Sequence, residues 1–326
     1  MKKYSVFAAG LISGLFAVVF LITGCSSGND DSAGNNSELK GKITISGAFA
    51  LYPLTVKWAE EFHKIHPRVT FNISAGGAGK GMADALSKMV DLGMYSKEVS
   101  PEEKAKGAWF IPVSRDAVLP TVSSSNPVIR DLKAKGLTKQ ILFDIFISGK
   151  IKTWGEATGG RSNVKLESFT RSDACGAAEM WARYLQGKKQ EDLQGLGVNG
   201  DPGIADAIRR NSNGIGYNNL NFVFDMTTRK PYEGIDVVPL DLNGNGKIDP
   251  EENFYGSLDK VMDAIQNGIY PSPPARDLYL VSAGKPGKIT LAFLNWVLTD
   301  GQKYLAEAGY VAISQEKIKA GMEKIQ

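Results

Sequence analysis

The chain has 326 residues, 43% of them hydrophobic, with 38 basic residues, 35 acidic residues and two cysteines. This composition excludes a fibrous or disordered protein, and a chain of this length can bury a large core divided between two lobes. The near balance of charge gives no indication of a nucleic-acid partner.

The first 25 residues are typical of an export signal. Lys2 and Lys3 precede an apolar run that closes on Ile22-Thr23-Gly24-Cys25, and small residues before a cysteine are typical of a bacterial lipobox. We predict a lipoprotein signal peptide over 1–24, with Cys25 as a lipid-modified N-terminus that holds the protein on the periplasmic or cell-surface side of a membrane. A membrane-spanning anchor is the alternative.

Residues 25–41 are rich in Ser, Gly, Asn and Asp, which predicts a flexible tether. The chain then alternates between strand and helix. "KITIS" and "VTFNI" have the apolar alternation of strands, and the apolar residues between them recur at helical spacing until Pro67. A glycine-rich loop, another helix and the strand-like "DLGMYS" follow. This order predicts an α/β lobe with a largely parallel sheet.

A second α/β stretch begins near Ala117. "LTKQILFDIFISGKIKTWGEA" has helical periodicity that ends at Gly149, and "VKLESFTRSDACGAAEMWARYL" predicts a strand, a loop and a helix. The C-terminal "ITLAFLNWVLTDGQKYLAEAGY" predicts two helices, the second of which begins near Asp300.

Three junctions share one pattern, in which a strand ends, small residues follow and a helix begins. They are "SGAFALYP" (46–53), "SAGGAGKG" (74–81) and "RSDACGAA" (171–178). A helix N-terminus offers unpaired N–H groups and partial positive charge, and small residues let an anion approach the backbone. We expect the three loops to surround one small oxyanion; the alternative is that each is an ordinary turn between a strand and a helix.

An ordered series of segments resembles the phosphate-binding proteins of ABC transporters. The series is "GAFALYPLTVKWAEEF", "AGGAGKGMADALSKMVDLGM", "NPV", "LFDIFISGKIKTWGEATGG", "RSDACG", "GIGY" and "PARDLYLVSAGKPGKITLAFLNWVLTDGQKYLAEAGYVAIS". The resemblance covers nearly everything from residue 42 onward. It implies an α/β, two-lobed periplasmic-binding-protein fold with the ligand in the interlobe cleft. We place lobe 1 at 42–117 and 277–326, and lobe 2 at 118–276.

The resemblance also implies a ligand site, at which this sequence departs from the usual residues. The matching positions are Ala48, Phe49, Ala50, Ala78, Ser96, Arg171, Asp173, Cys175, Gly176 and Ala177. The family usually has hydroxyl residues in these loops, and in some members a carboxylate at the position of Ser96. We expect Arg171 to bind the anion through its planar fork, Asp173 to orient that fork and backbone N–H groups to supply the other donors.

The expected function is that of a monomeric, lipid-anchored solute-binding protein that passes phosphate or a similar oxyanion to ABC transporter membrane subunits. Each missing hydroxyl removes a hydrogen bond worth about 0.5 to 1.5 kcal/mol. An oxyanion sensor or interaction protein with an altered ligand is therefore an alternative. An anchored phosphatase is less favoured, because a catalytic Cys175 needs a base and His63 and His66 both lie at the end of the first predicted helix.

"DLNGNGKIDPEE" (241–252) matches the twelve-residue calcium-loop template. The predicted ligands are Asp241, Asn243, Asn245, the Lys247 carbonyl, Asp249 and a bidentate Glu252, with Gly246 at the sharp turn. Because a strand-like "DVVPL" precedes the loop, we expect a structural ion rather than a helix-loop-helix sensor. The alternative is an Asn-Gly surface turn.

Overall fold

The computed structural model describes residues 39–326. The strands over this range are β1 (Gly41–Gly47), β2 (Val69–Ala75), β3 (Leu92–Tyr95), β4 (Ala108–Ser123), β5 (Glu167–Arg171), β6 (Leu196–Val198), β7 (Gly214–Asn219), β8 (Ile235–Val237) and β9 (Ala275–Ala283). The predicted signal peptide, Cys25 and most of the predicted tether lie outside the described residues.

The α-helices alternate with these strands. They are α1 (Tyr52–Ile65), α2 (Ala78–Leu86), α3 (Pro101–Ala105), α4 (Ile129–Lys135), α5 (Lys139–Phe146), α6 (Trp154–Thr158), α7 (Gly176–Tyr184), α8 (Gly200–Arg210), α9 (Leu258–Gln266), α10 (Lys288–Leu298) and α11 (Gln315–Ile325). Within residues 39–326, no helix combines the length and apolar character that crossing a membrane requires.

The N-terminal strands form a parallel unit, as their alternation with helices predicts. β1 pairs in parallel with both β2 and β3. Leu54, Trp58 and Phe62 recur at spacings of four along α1 and are buried. Trp58 also donates from its indole Nε1 to the carbonyl of Gly301, 2.8 Å away. This contact ties the first helix to the C-terminal part of the chain.

β4 is the strand that joins the two halves of the molecule. It has 16 residues and pairs antiparallel with β9 over 108–117, then with β7 and β8 over 118–123. The sheet order is β2-β1-β3-β9-β4-β7-β5-β6, with β8 added to β4. The strands β4 and β9 therefore connect the two parallel units.

The buried apolar residues fall into two clusters along this sheet. One cluster includes Trp58 and Phe293, and we call the elements around it lobe 1. The other includes Trp181 and Tyr217, and the elements around it are lobe 2. The two-lobed α/β architecture that the sequence predicted is confirmed. The residue boundaries that we assigned to the lobes stay a prediction.

The second C-terminal helix begins at Asp300 as predicted, but it is much shorter than the sequence pattern indicated. Only a short 3₁₀ helix, Asp300–Tyr304, forms there, and the last α-helix is α11. The backbone turns at Gly309, whose φ of 80° suits glycine. Val311 then pairs with Arg115 on β4, so contact with the crossing strand replaces helical continuation.

Candidate functional site

The three predicted loops meet at one place. The amide of Gly79, at the start of α2, donates to the carbonyl of Ala174, 3.1 Å away, in the loop after β5. The amide of Gly77 donates to the carbonyl of Gly47 at the end of β1, 3.0 Å away. The loops after β1, β2 and β5 are therefore joined by direct hydrogen bonds, as the sequence pattern indicated.

Two glycines allow this close approach. Gly77 has a φ of 91°, and a Cβ at this position would lie 2.8 Å from Oδ2 of Asp173. A Cβ on Gly176 would collide with the carbonyl of Ser96. Ser96 is buried. Because it follows β3 of lobe 1 and touches Gly176 of lobe 2, it lies at the contact between the lobes, where the family resemblance placed it.

Helix starts at the site carry unpaired amide groups. The 3₁₀ helix Phe49–Leu51, which leads into α1, and the helix α2 begin without a side-chain cap, and the first N–H groups of a helix have no acceptor within the helix. Within the described chain, five amides at these starts and at the start of α7 have no protein acceptor. They are those of Phe49, Ala50, Ala78, Gly176 and Ala177.

Two of the predicted backbone donors are occupied within the protein. The amide of Ala48 donates to the carbonyl of Met94, 2.9 Å away, and that of Cys175 donates to Oε1 of Gln190, 3.0 Å away. Both residues lie in the predicted loops. Their amides are not free to bind a ligand in this arrangement.

Arg171 lies beneath these loops and is held by two carboxylates. Its Nε and Nη2 atoms donate to Asp173 at 2.7 and 2.6 Å, and Nη1 donates to Asp201 at 2.5 Å. Burial lowers the pKa of Arg171, but the charges of Asp201 and Asp173 outweigh burial and hold it above its ordinary value. Asp173 therefore orients the arginine as predicted, and it does so by occupying two of the three guanidinium nitrogens.

Asp201 is a site residue that the sequence reasoning missed. It lies at the start of α8, and its Oδ1 accepts from Nδ2 of Asn219 at 2.6 Å, while its carbonyl accepts from Nδ2 of Asn218 at 3.0 Å. The segment "NGDPG" (199–203) carries an acidic residue at a helix start, but nothing in it indicates a contact with Arg171. The pairing arises because β5 and β6 are neighbours in the sheet, with Arg171 opposite Val198, and α8 begins just after β6.

A buried polar chain continues from Asp201 to the crossing strands. Asn219 accepts through Oδ1 from Nη2 of Arg276 on β9, and Nε of Arg276 donates to the carbonyl of Ser96 at 3.3 Å. Nη1 of the same arginine lies 3.6 Å from Oδ2 of Asp116 on β4. Arg276 therefore contacts residues of both lobes.

Phe49 covers the guanidinium of Arg171. The centroid of its ring is 5.5 Å from Cζ of Arg171, within the range of a cation–π contact. The same ring lies 3.0 Å from the position of a Cβ on Gly200. Phe49 thus bridges the first loop and the start of α8, at a position where the family resemblance implied a backbone donor.

Cys175 is the N-cap of α7. Its Sγ accepts a hydrogen bond from the amide of Ala178 at 3.4 Å, which is the role that a serine usually fills. Burial raises the pKa of the Cys175 thiol to about 12, although the charge of Arg171 opposes this rise. The thiol is therefore protonated at neutral pH and is a poor nucleophile.

The calcium-type loop folds around its first and last carboxylates. Asp241 and Glu252 are buried. The two Asp241 oxygens accept from the amides of Gly244 and Gly246 at 2.7 and 2.9 Å, and Oε1 of Glu252 accepts from the amide of Leu242 at 2.8 Å. These contacts give the loop the compact turn that its template requires.

Asp249, at the ninth position of the loop, is bonded to side chains of the loop itself. Oδ1 of Asp249 lies 2.7 Å from Nζ of Lys247, and Oδ2 accepts from the side-chain amides of Asn243 and Asn245 at 2.9 and 2.7 Å. The hydrogen bond from Lys247 lowers the pKa of Asp249 to about 2. No group of three or more His, Cys, Asp or Glu side chains is gathered as a metal site in residues 39–326. The predicted ligand oxygens therefore lie in one loop, and one of them, Oδ1 of Asp249, is paired with Lys247.

Comparisons with known proteins agree with this architecture. The phosphate-binding protein PstS of Staphylococcus epidermidis is 25% identical over 94% of this chain and 89% of its own length. The PstS protein of Methanocaldococcus jannaschii is 26% identical over 100% of this chain and 96% of its own. An ABC-type phosphate transport receptor from Vibrio cholerae has a TM-score of 0.60 at 19% identity and covers 83% of this chain and 100% of its own. The PBP superfamily domain matches residues 32–301, and this chain therefore belongs to the PBP superfamily.

Proposed function

We propose that this protein is a solute-binding protein that captures phosphate or a similar oxyanion for an ABC transporter. The observation that carries the proposal is the meeting of three helix starts whose five unpaired amides lie at one contact between the lobes. Such amides bind oxyanions well, since their dipoles point toward the ligand. The names of the relatives in two distant organisms give the same ligand class.

Backbone amides carry more of the binding than the side chains do. Arg171 is paired with Asp173 and Asp201, so this group of three side chains has a net charge of −1. The hydroxyl groups implied by the resemblance are absent from the first loop at 48–50, from Ala78 in the second loop and from Cys175 and Ala177 in the third. We therefore expect the protein to bind its oxyanion through amides, with Arg171 as the cation beneath them.

The binding test is calorimetric titration of the purified protein with phosphate, arsenate, sulfate and molybdate. We expect the three loops to form one site that accepts phosphate and arsenate. Arg171→Ala should weaken that binding by at least tenfold, because it removes the cation beneath the amides. Arg130→Ala is the matched control, since Arg130 is exposed on α4. Folding of both variants is checked by circular dichroism before titration.

Two results would contradict the proposal. If none of the four oxyanions binds, the protein retains the fold with an altered ligand, as an oxyanion sensor or interaction protein would. If folded Arg171→Ala binds as well as the control, Arg171 has no role in ligand binding. A phosphatase at the same place is less favoured because the Cys175 thiol is buried and protonated.

We infer further that the protein is exported and held at the cell envelope by lipid on Cys25. The support is the order of charged, apolar and small residues before that cysteine. A lipid anchor would keep the binding domain near the membrane subunits that receive the ligand. The protein then works as a monomer on a short tether.

We also propose that the loop 241–252 binds one structural Ca²⁺. The support is the full ligand spacing of the template and the oxygen-rich chemistry that Ca²⁺ prefers. Binding would require the ammonium of Lys247 to leave Asp249. The Lys247 side chain is 68% exposed, so its ammonium can move into solvent. Because this loop is far in sequence from all three anion loops, we expect the ion to stabilise the protein without taking part in anion capture.

A further inference from the structure

A cavity of about 210 Å³ lies where α7, the crossing strands and α11 come together. Its walls include Arg115, Arg183, Arg276, Lys317, Tyr279 and Met180. None of its lining residues belongs to the three loops of the candidate oxyanion site. The cavity is therefore distinct from the three loops, although Arg276 in its wall also donates to the carbonyl of Ser96.

The cavity walls carry more positive than negative charge. Four basic side chains line it, against the two carboxylates of Glu98 and Asp277, which leaves an excess of two positive charges. Arg183 pairs with Glu98 at 3.4 Å and with Glu179 at 3.1 Å. Lys317 pairs with Asp277. Arg276 pairs with Asp116 at 3.6 Å. These pairs leave Arg115 as the cation of the cavity without a carboxylate partner in residues 39–326.

Arg115 and Arg276 have donors that the protein does not use. Arg115 donates from Nη2 to Oγ of Ser272 at 2.9 Å, but its buried Nε has no acceptor, and none of the ion pairs within residues 39–326 includes it. Arg276 is only 6% exposed, and its Nη1 also lacks a hydrogen-bond acceptor. Arg115 lines the cavity without a carboxylate partner, so an anion that enters the cavity supplies the opposite charge for its guanidinium.

Tyr279 adds a hydroxyl to the same wall. Burial, reinforced by the charge of Asp277, raises the pKa of Tyr279 to about 12. The phenol therefore keeps its proton at neutral pH and can donate to an anion. Met180, on α7, also lines the cavity and is buried and apolar.

We propose that this cavity binds a small anion that carries a phosphate group. The guanidinium of Arg115 binds the phosphate oxygens, with Tyr279 as a further donor. A volume of this size accommodates about seven water-sized groups, which is enough for a free phosphate or for a phosphate ester with a short carbon chain against Met180. This proposal goes beyond the capture of an oxyanion at the three loops and does not depend on it.

The test uses the full-length protein with two probes, inorganic phosphate and glycerol 3-phosphate. The readout is the ring resonances of Tyr279 in protein labelled on its tyrosine rings, assigned with Tyr279→Phe. We expect a saturable shift with at least one probe. Arg115→Gln should weaken it at least tenfold, and Arg130→Gln, the same change at an exposed site, should leave it unchanged. A shift with both probes or only with glycerol 3-phosphate supports a site that accepts an ester, and a shift with inorganic phosphate alone supports a free-phosphate site.

Two results overturn the proposal. One is the absence of a Tyr279 shift with either probe at millimolar concentration, and the other is an equal response in folded Arg115→Gln. If Arg115→Gln does not fold, Arg115→Lys replaces it, because an ammonium keeps the charge but cannot reproduce the planar fork of the guanidinium, and a response equal to the wild type then overturns the proposal. Calorimetry on Arg115→Gln separates the two sites, since phosphate binding at the three loops should persist in that variant.

Discussion

At the scale of one residue, the surroundings of Phe49 distinguish this site from the one that the family resemblance implied. The ring covers Arg171 and stands beside Gly200. An aromatic ring adds no hydrogen-bond donor for an oxyanion. Part of the space of the expected site is therefore given to a contact within the protein.

We predict that Phe49→Thr binds phosphate more tightly than the wild type. The substitution uncovers Arg171 and adds one hydroxyl donor, and one neutral hydrogen bond of about 0.5 to 1.5 kcal/mol corresponds to a gain of roughly 2- to 12-fold. Phe49→Leu is the matched control, because it removes the aromatic ring without adding a donor. Calorimetric titration with phosphate compares the three proteins. Binding by the Thr variant that is no tighter than that of the Leu variant would show that the hydroxyl reaches no ligand.

At the scale of an element, the crossing strands β4 and β9 bury a titratable pair. Asp116 is fully buried, and burial raises its pKa to about 6 although the charge of Arg276 opposes the rise; the charge of Asp201 raises it further. A carboxyl whose pKa is higher in the folded protein than in the unfolded chain favours folding when it is protonated. Its ionisation therefore lowers stability as the pH rises from about 4 to about 6.

We predict that Asp116→Asn is more stable than the wild type at pH 7. The variant keeps the shape of the side chain without the buried charge, so the gain is on the order of 3 kcal/mol at most. The advantage should shrink as the pH falls toward 4, where the wild-type carboxyl is protonated as well. Urea unfolding of both proteins between pH 4 and pH 8 measures this difference. A constant difference across that range would assign it to packing rather than to titration.

The loop 241–252 is the second element with a measurable consequence. We predict that Ca²⁺ raises the melting temperature, because a ligand that binds only the folded state at 100 times its Kd adds about 2.7 kcal/mol. Chelation should reverse the effect. Asp241→Ala combined with Glu252→Ala should abolish the calcium dependence, whereas Asp206→Ala, at an exposed position on α8, should retain it.

Thermal melts with Ca²⁺ and with chelator measure this dependence in each protein. The comparison is made within each variant, because Asp241 and Glu252 also hold loop amides and their loss destabilises the loop by itself. If Ca²⁺ does not change the melting temperature of the wild type, the segment is only a surface turn. Loss of oxyanion binding on chelation, in protein that stays folded, would make the ion functional and contradict a purely structural role.

At the scale of the whole molecule, the predicted lipid on Cys25 sets where the binding domain works. We predict that Cys25→Ser moves the protein from the membrane fraction to the soluble fraction, since a serine at this position cannot receive the thioether-linked lipid. Fractionation followed by immunoblotting measures the distribution, with Cys175→Ser as the matched control because Cys175 is buried in lobe 2. Cys25→Ser protein that stays with the membrane would indicate a spanning anchor.

The sequence determined the order of elements and the positions of the three loops. Periodicity located β1, α1 and β2, because the alternation of apolar residues differs between a strand and a helix. The small residues at 46–53, 74–81 and 171–178 located the helix starts, since N–H groups at a helix start are unpaired whatever the fold. These features depend on residues that are close in the chain, and the structure agrees with them.

The tertiary structure decided which groups pair across the molecule. Asp201 reaches Arg171 from 30 residues away, and Arg276 reaches Asn219 and Ser96 from 57 and 180 residues away. Such contacts depend on which strands are neighbours in the sheet, and no local pattern encodes that. Local periodicity likewise predicted a longer helix from Asp300, where packing against Trp58 and β4 leaves only a short 3₁₀ helix. The chain thus specifies its helix starts locally, while the charge beneath them is set only when β5, β6, β7 and β9 come together.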